Sequence, residues 1–461
     1  MNLPGKKTWF RIHSFTGVIT GLMLFVICWS GTFAVLSHEF DWLVTPEARI
    51  ERGGGKALSY GQLKAVVMQH YPQAEISSIA APLYARSAVQ FVVNLPEQNS
   101  MRIYVHPYSG EIQGAWSYLD IQRFFRSFHM ELFIPYFGDY FVVLFAVTMI
   151  VSLVAALYFY RRWWRRFFTF NTGARAFWSD AHKLTGLWSL WFLLVISLTG
   201  GWYLFEMLRA DVGDGKISYA AANAYGTTAI PAPTSDAGQA PLPLDTLLER
   251  VRELRPDLEL KTIGFNYSHD GAIYFDGQAG HPLVRNRANQ LHLDIRTGEV
   301  LYDQRADAYP LYWRWSDTAD PLHFGDFGGL VSKLIWFVFG LLLCLLIYTG
   351  TLLHARRLAA GGARRARHRW PGTSAAIVVT LVVLMGATIA GFIQARAWYG
   401  PEVDGVRRLP ELAPGVLAVI GIWVAVTLAA LGFWIRLLWR PSRSPAKSRQ
   451  PASARLTSTA R

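Results

Sequence analysis

The side chains in this sequence that could do chemistry are histidines at the ends of apolar segments. Six of the twelve histidines lie there: His13, His38, His129, His182, His323 and His354. An ionisable group at membrane depth is costly and usually marks a functional site. Two imidazoles can occupy both axial positions of a haem iron, which suits electron transfer because no open position remains for oxygen or substrate. The alternative is that these are interface residues, where an amphipathic ring is well accommodated.

The histidine pattern occurs twice. The segment HSFTGVITGLMLFVICWSG at 13–31 aligns without a gap with HKLTGLWSLWFLLVISLTG at 182–200. Agreement of this kind indicates an internal duplication. His129 precedes the second span and His323 precedes the fourth. Each half of the repeat therefore has one histidine at the start of its first span and one before its second span.

Small residues accompany the histidines at helical spacing. Gly17 follows His13 by about one turn, and Gly31 follows it by a whole number of turns, so a straight helix would place all three on one face. The matching glycines of the second copy are Gly186 and Gly200. Small residues beside a ligating histidine would let a flat macrocycle approach the backbone, as they let helices approach each other. Ordinary helix packing is the alternative explanation.

Apolar spans must position these residues. The 461-residue chain is 52% hydrophobic and its mean hydropathy is positive, which indicates a membrane protein. A helical span needs about 20 apolar residues, and lipid cannot satisfy open backbone groups, so helices are expected. The predicted organisation is spans at 1–37, 138–160, 184–207, 328–354, 374–394 and 414–437, larger segments at 38–137 and 208–327, and shorter segments at 161–183, 355–373, 395–413 and 438–461.

The net charge of +13 is concentrated at membrane edges: before the first span, after the second and fourth spans, and in the C-terminal tail. By the positive-inside rule both termini are cytoplasmic and the two larger segments are periplasmic, as in a bacterial inner-membrane protein. This placement favours contact with anionic lipid over binding of nucleic acid.

The two cysteines, Cys28 and Cys344, both lie inside spans. The sequence therefore lacks the cysteines needed for a c-type haem, an iron–sulfur cluster or a disulfide in an exported domain. It also lacks a dinucleotide-binding or P-loop motif, so a quinol or a cytosolic flavoprotein is the expected electron donor. No metal other than haem iron is expected.

Each larger segment repeats the order of an amphipathic helix, three short strands and a turn. The helices are predicted at 58–70 and 244–254 from their period. Alternation predicts strands at 75–80, 88–95, 100–106, 259–266, 271–276 and 288–295. Gly-Glu follows the last strand of each set, as in a hairpin. The stretch 210–241 is rich in small residues and reads as a tether.

These motifs resemble the PepSY-associated transmembrane family of iron-regulated inner-membrane proteins, which includes siderophore reductases. The resemblance covers roughly 6–357 and rests on RIHSFTG, DAHKLTG, FHMEL and PLHFG together with the two helix-plus-strands modules. It implies an α-helical membrane bundle with a duplicated four-helix core, two periplasmic α+β PepSY-like domains, haem, and reduction of ferric chelates. The last two spans extend beyond the four-helix members, and their role is left open.

Depth suggests how the histidines pair. His13 and His182 begin the two inside-to-outside spans, while His129 and His323 precede the two returning spans. Each pair should lie across a diagonal of the bundle, giving two b-type haems, one near each face. An unbroken helix from His129 to the basic end of the second span would be about 48 Å long, so His129 is expected on an interfacial helix before Pro135. His38 and His354 are second-tier ligands.

The leading function is a di-haem reductase that passes single electrons to a ferric siderophore or chelate in the periplasm. Aromatic and cationic residues near the second and fourth spans suit an anionic, ring-bearing chelate: Trp116, Arg123, Arg126, Trp313 and Arg314. An aromatic belt at the interface is the alternative explanation for them. Two other functions stay open: a membrane-anchored module that binds or restrains an envelope partner, and a transport component for iron or siderophore.

Overall fold

The computed structural model describes residues 5–51, 55–96, 98–168, 177–213, 230–265, 269–360 and 372–439. The basic segment at 361–371, the tail from 440 onward and much of the predicted tether, 214–229, lie outside these residues. The helices are α1 (Lys6–Ile19), α2 (Gly21–Val35), α3 (Ser37–Val44), α4 (Tyr60–His70), α5 (Ile121–Glu131), α6 (Phe137–Phe159), α7 (Phe177–Trp188), α8 (Leu190–Gly213), α9 (Leu244–Leu254), α10 (Leu311–Phe324), α11 (Gly329–Ala360), α12 (Thr373–Gln394) and α13 (Pro414–Trp439). The main strands are β1 (Glu75–Ala80), β2 (Val89–Asn94), β3 (Ser100–Val105), β4 (Ile112–Ser117), β5 (Glu259–Phe265), β6 (Ala272–Gln278), β7 (Gln290–Asp294) and β8 (Val300–Gln304).

Six membrane spans fit the described helices. Five single helices are long and apolar enough to cross a membrane, namely α6, α8, α11, α12 and α13. The sixth candidate is the pair α1 and α2, which is bent by 65° at Thr20. The Thr20 hydroxyl donates to the carbonyl oxygen of Thr16 at 2.7 Å, a back-bond that often bends helices. The straight first span assumed from the sequence is therefore wrong, and His13 and Gly31 do not share one continuous helix face.

The first four spans form a ring. Helix α1 packs on α6, α6 on α8, α7 on α11, and α11 on α2. The first and third spans therefore lie on one diagonal of the bundle, as expected from the antiparallel order. The last two spans, α12 and α13, pack on the outside of this ring: both contact α2, and α13 also contacts α11 and α5.

Two short helices carry the later histidines. His129 lies on α5, which ends at Glu131 before Pro135, as predicted. His323 lies on α10. Helix α5 packs against α2 and α6, and α10 packs against α8, so each short helix lies on a span of its own half.

The strands form one eight-stranded antiparallel sheet in the order β4-β3-β2-β1-β5-β6-β7-β8. The predicted strands are present, and β4 and β8 complete the hairpins. Strand β2 alternates as the pattern requires, with Val89, Phe91 and Val93 almost fully buried. The two modules are not separate in space, because β1 pairs with β5 through Ile79 and Ile263. Pairing in this way covers what would otherwise be an open edge in each module.

Candidate functional site

The structure brings the four predicted ligands together as two pairs. The ring centroids of His13 and His182 lie 6.4 Å apart, and those of His129 and His323 lie 6.3 Å apart. Two imidazoles that bind one metal ion from opposite sides, each at a metal–nitrogen distance of about 2.0 Å, have centroids roughly 6 Å apart. We call His129 and His323 the sheet-side pair, and His13 and His182 the far-side pair. The spacing of both pairs fits axial ligation of one iron each.

Hydrogen bonds orient the far-side pair. The Nδ1 atom of His13 lies 3.0 Å from the carbonyl oxygen of Ser152 and 2.9 Å from its hydroxyl. Because a carbonyl oxygen only accepts, Nδ1 of His13 carries the proton and Nε2 keeps its lone pair. In the second half, Nδ1 of His182 lies 3.0 Å from the hydroxyl of Thr349. An Nδ1–H bond of this kind fixes ring and tautomer in metal-ligating histidines.

The sheet-side pair is oriented in the same way. Nδ1 of His129 lies 3.0 Å from the carbonyl oxygen of Ile27 and 3.2 Å from the hydroxyl of Ser30. Nδ1 of His323 lies 2.8 Å from the hydroxyl of Thr199. Burial lowers the pKa of His129 to about 4 and, with the neighbouring His129, that of His323 to about 3. Both rings are therefore neutral at pH 7, the form that binds a metal.

A cavity of about 690 Å³ lies beside the sheet-side pair and is lined by both of its histidines. This volume is within the range of sites for cofactors and other small ligands. Gly31 and Gly200 line the cavity as well. A Cβ atom on Gly31 would lie only 2.5 Å from Cε1 of His129, so the ring occupies the space that a side chain would take. At Gly31 the group that approaches the bare backbone is therefore the imidazole of His129, whereas a macrocycle was expected there from the sequence.

The other two predicted glycines belong to the far end of the bundle. A Cβ on Gly17 would meet no atom within 4 Å, which leaves open space along that face of α1. A Cβ on Gly186 would lie 3.5 Å from Leu346, an ordinary packing distance. A third glycine, Gly350, was not predicted. Its Cβ would lie 3.2 Å from Cε1 of His182, so it makes for the far-side pair the close approach that Gly31 makes for the sheet-side pair.

The rim of the cavity is charged. Its lining contains charges of both signs: four arginines, Arg126, Arg209, Arg285 and Arg287, and six carboxylates, Glu131, Asp139, Glu206, Asp211, Asp317 and Asp320. Arg287 forms an ion pair with Asp317 at 3.0 Å, and Arg285 pairs with Asp320. The Tyr203 hydroxyl donates to Asp320 at 2.6 Å, while its ring lies edge-on to His323 at 5.3 Å. Contacts therefore run from the β6–β7 connection, through Asp320 on α10 and Tyr203 on α8, to the ring of His323.

Two of the five residues predicted at a substrate mouth, Arg126 and Trp313, line this cavity. The other three do not. Trp116 lies in β4 and packs in the interior, and the Arg123 guanidinium stacks over Tyr118 at 4.4 Å. Arg314 donates to two backbone carbonyl oxygens of the preceding loop, at 3.2 and 2.8 Å.

The second-tier histidines lie elsewhere. His38 is exposed on α3 and borders a small separate cavity with Asp41 and Arg102. His354 is 8% exposed near the end of α11. The structure gives neither of them a place beside the sheet-side cavity.

A family model described as the PepSY-associated TM region matches residues 10–357. The chain belongs to this family. The match confirms the resemblance drawn from the motifs, and it includes both histidine pairs and the whole sheet. In this PepSY-associated TM protein, α12 and α13 lie beyond the matched region. No curated protein matches the chain significantly.

The hydroxyl groups that hold the histidines were missed from the sequence of this PepSY-associated TM protein. They are Ser30, Ser152, Thr199 and Thr349. One signal was available, because Ser30 and Thr199 occupy matching positions in the aligned repeat. Serine and threonine also bond to their own helix backbone, so a hydroxyl in a span is by itself no sign of a partner.

Proposed function

We propose that this membrane protein carries two b-type haems and passes electrons across the inner membrane to a ferric siderophore or chelate in the periplasm. The observation that carries the proposal is the paired geometry: two sets of imidazoles with centroids 6.4 and 6.3 Å apart. Ordinary packing does not require that all four Nδ1 atoms be hydrogen-bonded while the rings lie in pairs at this spacing. That arrangement suits a flat metal-bearing group between two rings.

When bound, haem supplies a one-electron couple at its iron. His13 and His182 would hold one group, and His129 and His323 the other. The chain's own contribution is to fix each ring by a hydrogen bond from Nδ1, which keeps Nε2 unprotonated. With two imidazoles to hold each group, the site would suit electron transfer rather than oxygen binding.

The electron balance is simple. A quinol or a cytosolic flavoprotein gives electrons on the cytoplasmic side, and each ferric ion takes one and becomes ferrous. A quinol releases two electrons and two protons, so its oxidation reduces two ferric chelates. Ferrous iron binds hard oxygen donors less tightly, and release of the metal follows. The cavity lining carries six carboxylates beside its four arginines, so contact with an anionic chelate would come from individual arginines rather than from the net charge of the cavity.

An optical spectrum of the purified chain, made with ample haem, tests the proposal. We expect a low-spin b-type signature with two haems per chain. His13→Ala and His323→Ala should each remove about half of it, while His70→Ala, a change of an exposed histidine on α4, should remove none. In liposomes the reduced protein should reduce a ferric chelate in a single-electron step. A colourless protein would rule out the redox function.

A further inference from the structure

The corner between α5 and α6 is strained. Leu132, Phe133 and Tyr136 have positive φ angles of 51°, 59° and 69°, a region unfavourable for residues with side chains. Tyr136 has ψ −64°, and the Phe137 amide donates to the carbonyl oxygen of Pro135 at 2.9 Å. This is the rare, unfavourable form of the γ-turn. His129 lies in the last turn of α5, directly before this corner.

The second half makes the same corner with glycine. Between α10 and α11 the positive φ angles belong to Gly325 at 70° and Gly329 at 62°. Glycine adopts such angles without a steric penalty. The corner that follows His323 can therefore form by itself, whereas the one that follows His129 needs support from its surroundings.

The last two spans provide contacts at this place. A Cβ on Gly391 of α12 would lie 2.9 Å from the ring of Phe133, so the bare helix backbone packs against a strained residue. At the end of α12, Gln394 donates to the carboxylate of Glu131 at 3.1 Å. Both partners belong to the last turn of α5 or to the corner itself.

Helix α13 contacts the middle of α5 through Trp423. Trp423 is 5% exposed, and its ring lies within 6 Å of three phenylalanines on one side of α5: Phe124, Phe125 and Phe128. Phe128 directly precedes His129. The two helices thus cover the short helix that carries one sheet-side ligand, and they lie outside the region that matches the family.

We propose that α12 and α13 hold the strained corner and α5 in place, and so position His129 toward His323. Gly391, Gln394 and Trp423 are positioning residues in this role. The inference rests on the proposed function for the meaning of the His129 position, but the mechanical claim concerns the protein alone. On this proposal, α12 and α13 support the half of the repeat whose corner lacks glycine.

The variant Gly391→Leu tests the proposal, with Gly386→Leu as its matched control on the same helix. A Cβ on Gly386 would meet no atom within 4 Å, so a side chain there points into open space. We expect Gly391→Leu to remove the haem of the sheet-side pair, to leave that of the far-side pair, and to raise amide hydrogen exchange in α5 about tenfold. Gly386→Leu should change neither quantity.

A second substitution distinguishes loss of support for the α5–α6 corner from a general loss of stability. Tyr136→Gly removes the penalty at the γ-turn, and added to Gly391→Leu it should restore slow exchange in α5 and the lost haem. Tyr136→Phe, which loses only the hydroxyl bond to Asp211 at 2.9 Å, should not restore them. Gln394→Met should act in the same direction as Gly391→Leu but more weakly, without a steric clash.

Normal α5 exchange and full haem in Gly391→Leu would overturn the proposal, as would equal rescue by Tyr136→Gly and Tyr136→Phe. Equal loss of both haems in both Gly391→Leu and Gln394→Met would also overturn it, since it would show a global effect. If the parent protein binds no haem, the proposed function fails separately, and exchange in α5 still decides the mechanical claim.

Discussion

The hydroxyl of Thr199 offers the sharpest test of the candidate site. Its oxygen accepts from Nδ1 of His323 at 2.8 Å, and its proton goes to the carbonyl oxygen of Val195 at 2.7 Å. Thr199→Val keeps the branched shape and removes the acceptor. A buried donor left without its partner costs about 1–3 kcal/mol. This agrees with the 10–100-fold loss of metal affinity that is typical when such an outer partner is removed.

The same change should alter the redox potential. An imidazole whose N–H loses its acceptor is a weaker electron donor to the metal. The oxidised iron depends more on this donation, so the substitution would destabilise the oxidised state more than the reduced state. For a one-electron couple a tenfold change in equilibrium is about 59 mV. The hydrogen bond is expected to stabilise the oxidised state more than the reduced state by part of its energy. Its removal should therefore raise the midpoint potential of the sheet-side haem by about 20–60 mV.

Potentiometric titration of the purified protein, followed by its visible absorbance, measures both components separately. Thr199→Val should shift the component of the sheet-side pair, and Thr349→Val, which removes the partner of His182, should shift the other. Ser197→Ala is the control, because this hydroxyl on the same helix donates to the carbonyl oxygen of Leu194 in its own helix at 3.3 Å. The two threonine variants thus serve as controls for each other.

Three results would refute the reasoning. The first is unchanged haem content and unchanged potentials in both threonine variants. The second is a shift of the same component by both. The third is a fall in potential after Thr199→Val, which would show that the hydroxyl does not accept from the ligand ring.

Three further predictions concern other parts of the molecule. Gly31→Ala should displace the ring of His129, since the new Cβ would lie 2.5 Å from it, and the reduced-minus-oxidised spectrum should lose the sheet-side haem alone. Lys333→Met should lower the free energy of unfolding by less than the about 3–5 kcal/mol of an uncompensated buried charge, because Glu39 loses the ammonium group it holds at 2.9 Å but keeps the Tyr84 hydroxyl. Denaturant unfolding should show that the double variant with Glu39→Gln recovers most of this loss. Burial raises the pKa of Asp276 to about 6, so the contribution of this carboxyl to stability is present below pH 4 and is lost as the pH rises through 6. Asp276→Asn should therefore stabilise the sheet at pH 7.5, by at most about 3 kcal/mol, and should have no such effect at pH 4. Thermal unfolding at the two pH values measures the difference.

Much of the bundle was predictable because its signals are local. A membrane span can be predicted from its length and hydropathy. The gapless repeat predicts equal depth for His13 and His182 without any knowledge of packing. The expectation that His129 lies on its own short helix followed from length alone, since one helix to the basic end of the second span would be too long for the membrane. These inferences use the spacing of residues along the chain and nothing else.

The rest depends on contacts between distant segments. The pairing of β1 with β5 leaves no mark in the sequence, because a strand alternates in the same way at an edge and in the centre of a sheet. The bend at Thr20 follows from one side-chain bond to the preceding turn, which threonine makes in straight helices too. The straight-face argument for His13 and Gly31 failed for this reason, although Gly31 still lies against a histidine, that of the other pair.

The Nδ1 hydrogen bonds of the four histidines lie within the halves of the repeat, whereas the histidine pairs lie between them. Each histidine takes its Nδ1 acceptor from its own half: His13 from α6, His129 from α2, His182 from α11 and His323 from α8. Each pair, by contrast, joins one ring from each half. One half of the repeat can therefore orient its two imidazoles by itself, but it cannot provide both axial ligands of either site. Haem in these sites would link the halves at both ends of the bundle, and a ligand that binds only the assembled form stabilises it by mass action. The halves should accordingly be held together less strongly without haem, by the β1–β5 pairing and by the packing of α2 on α11 and of α6 on α8.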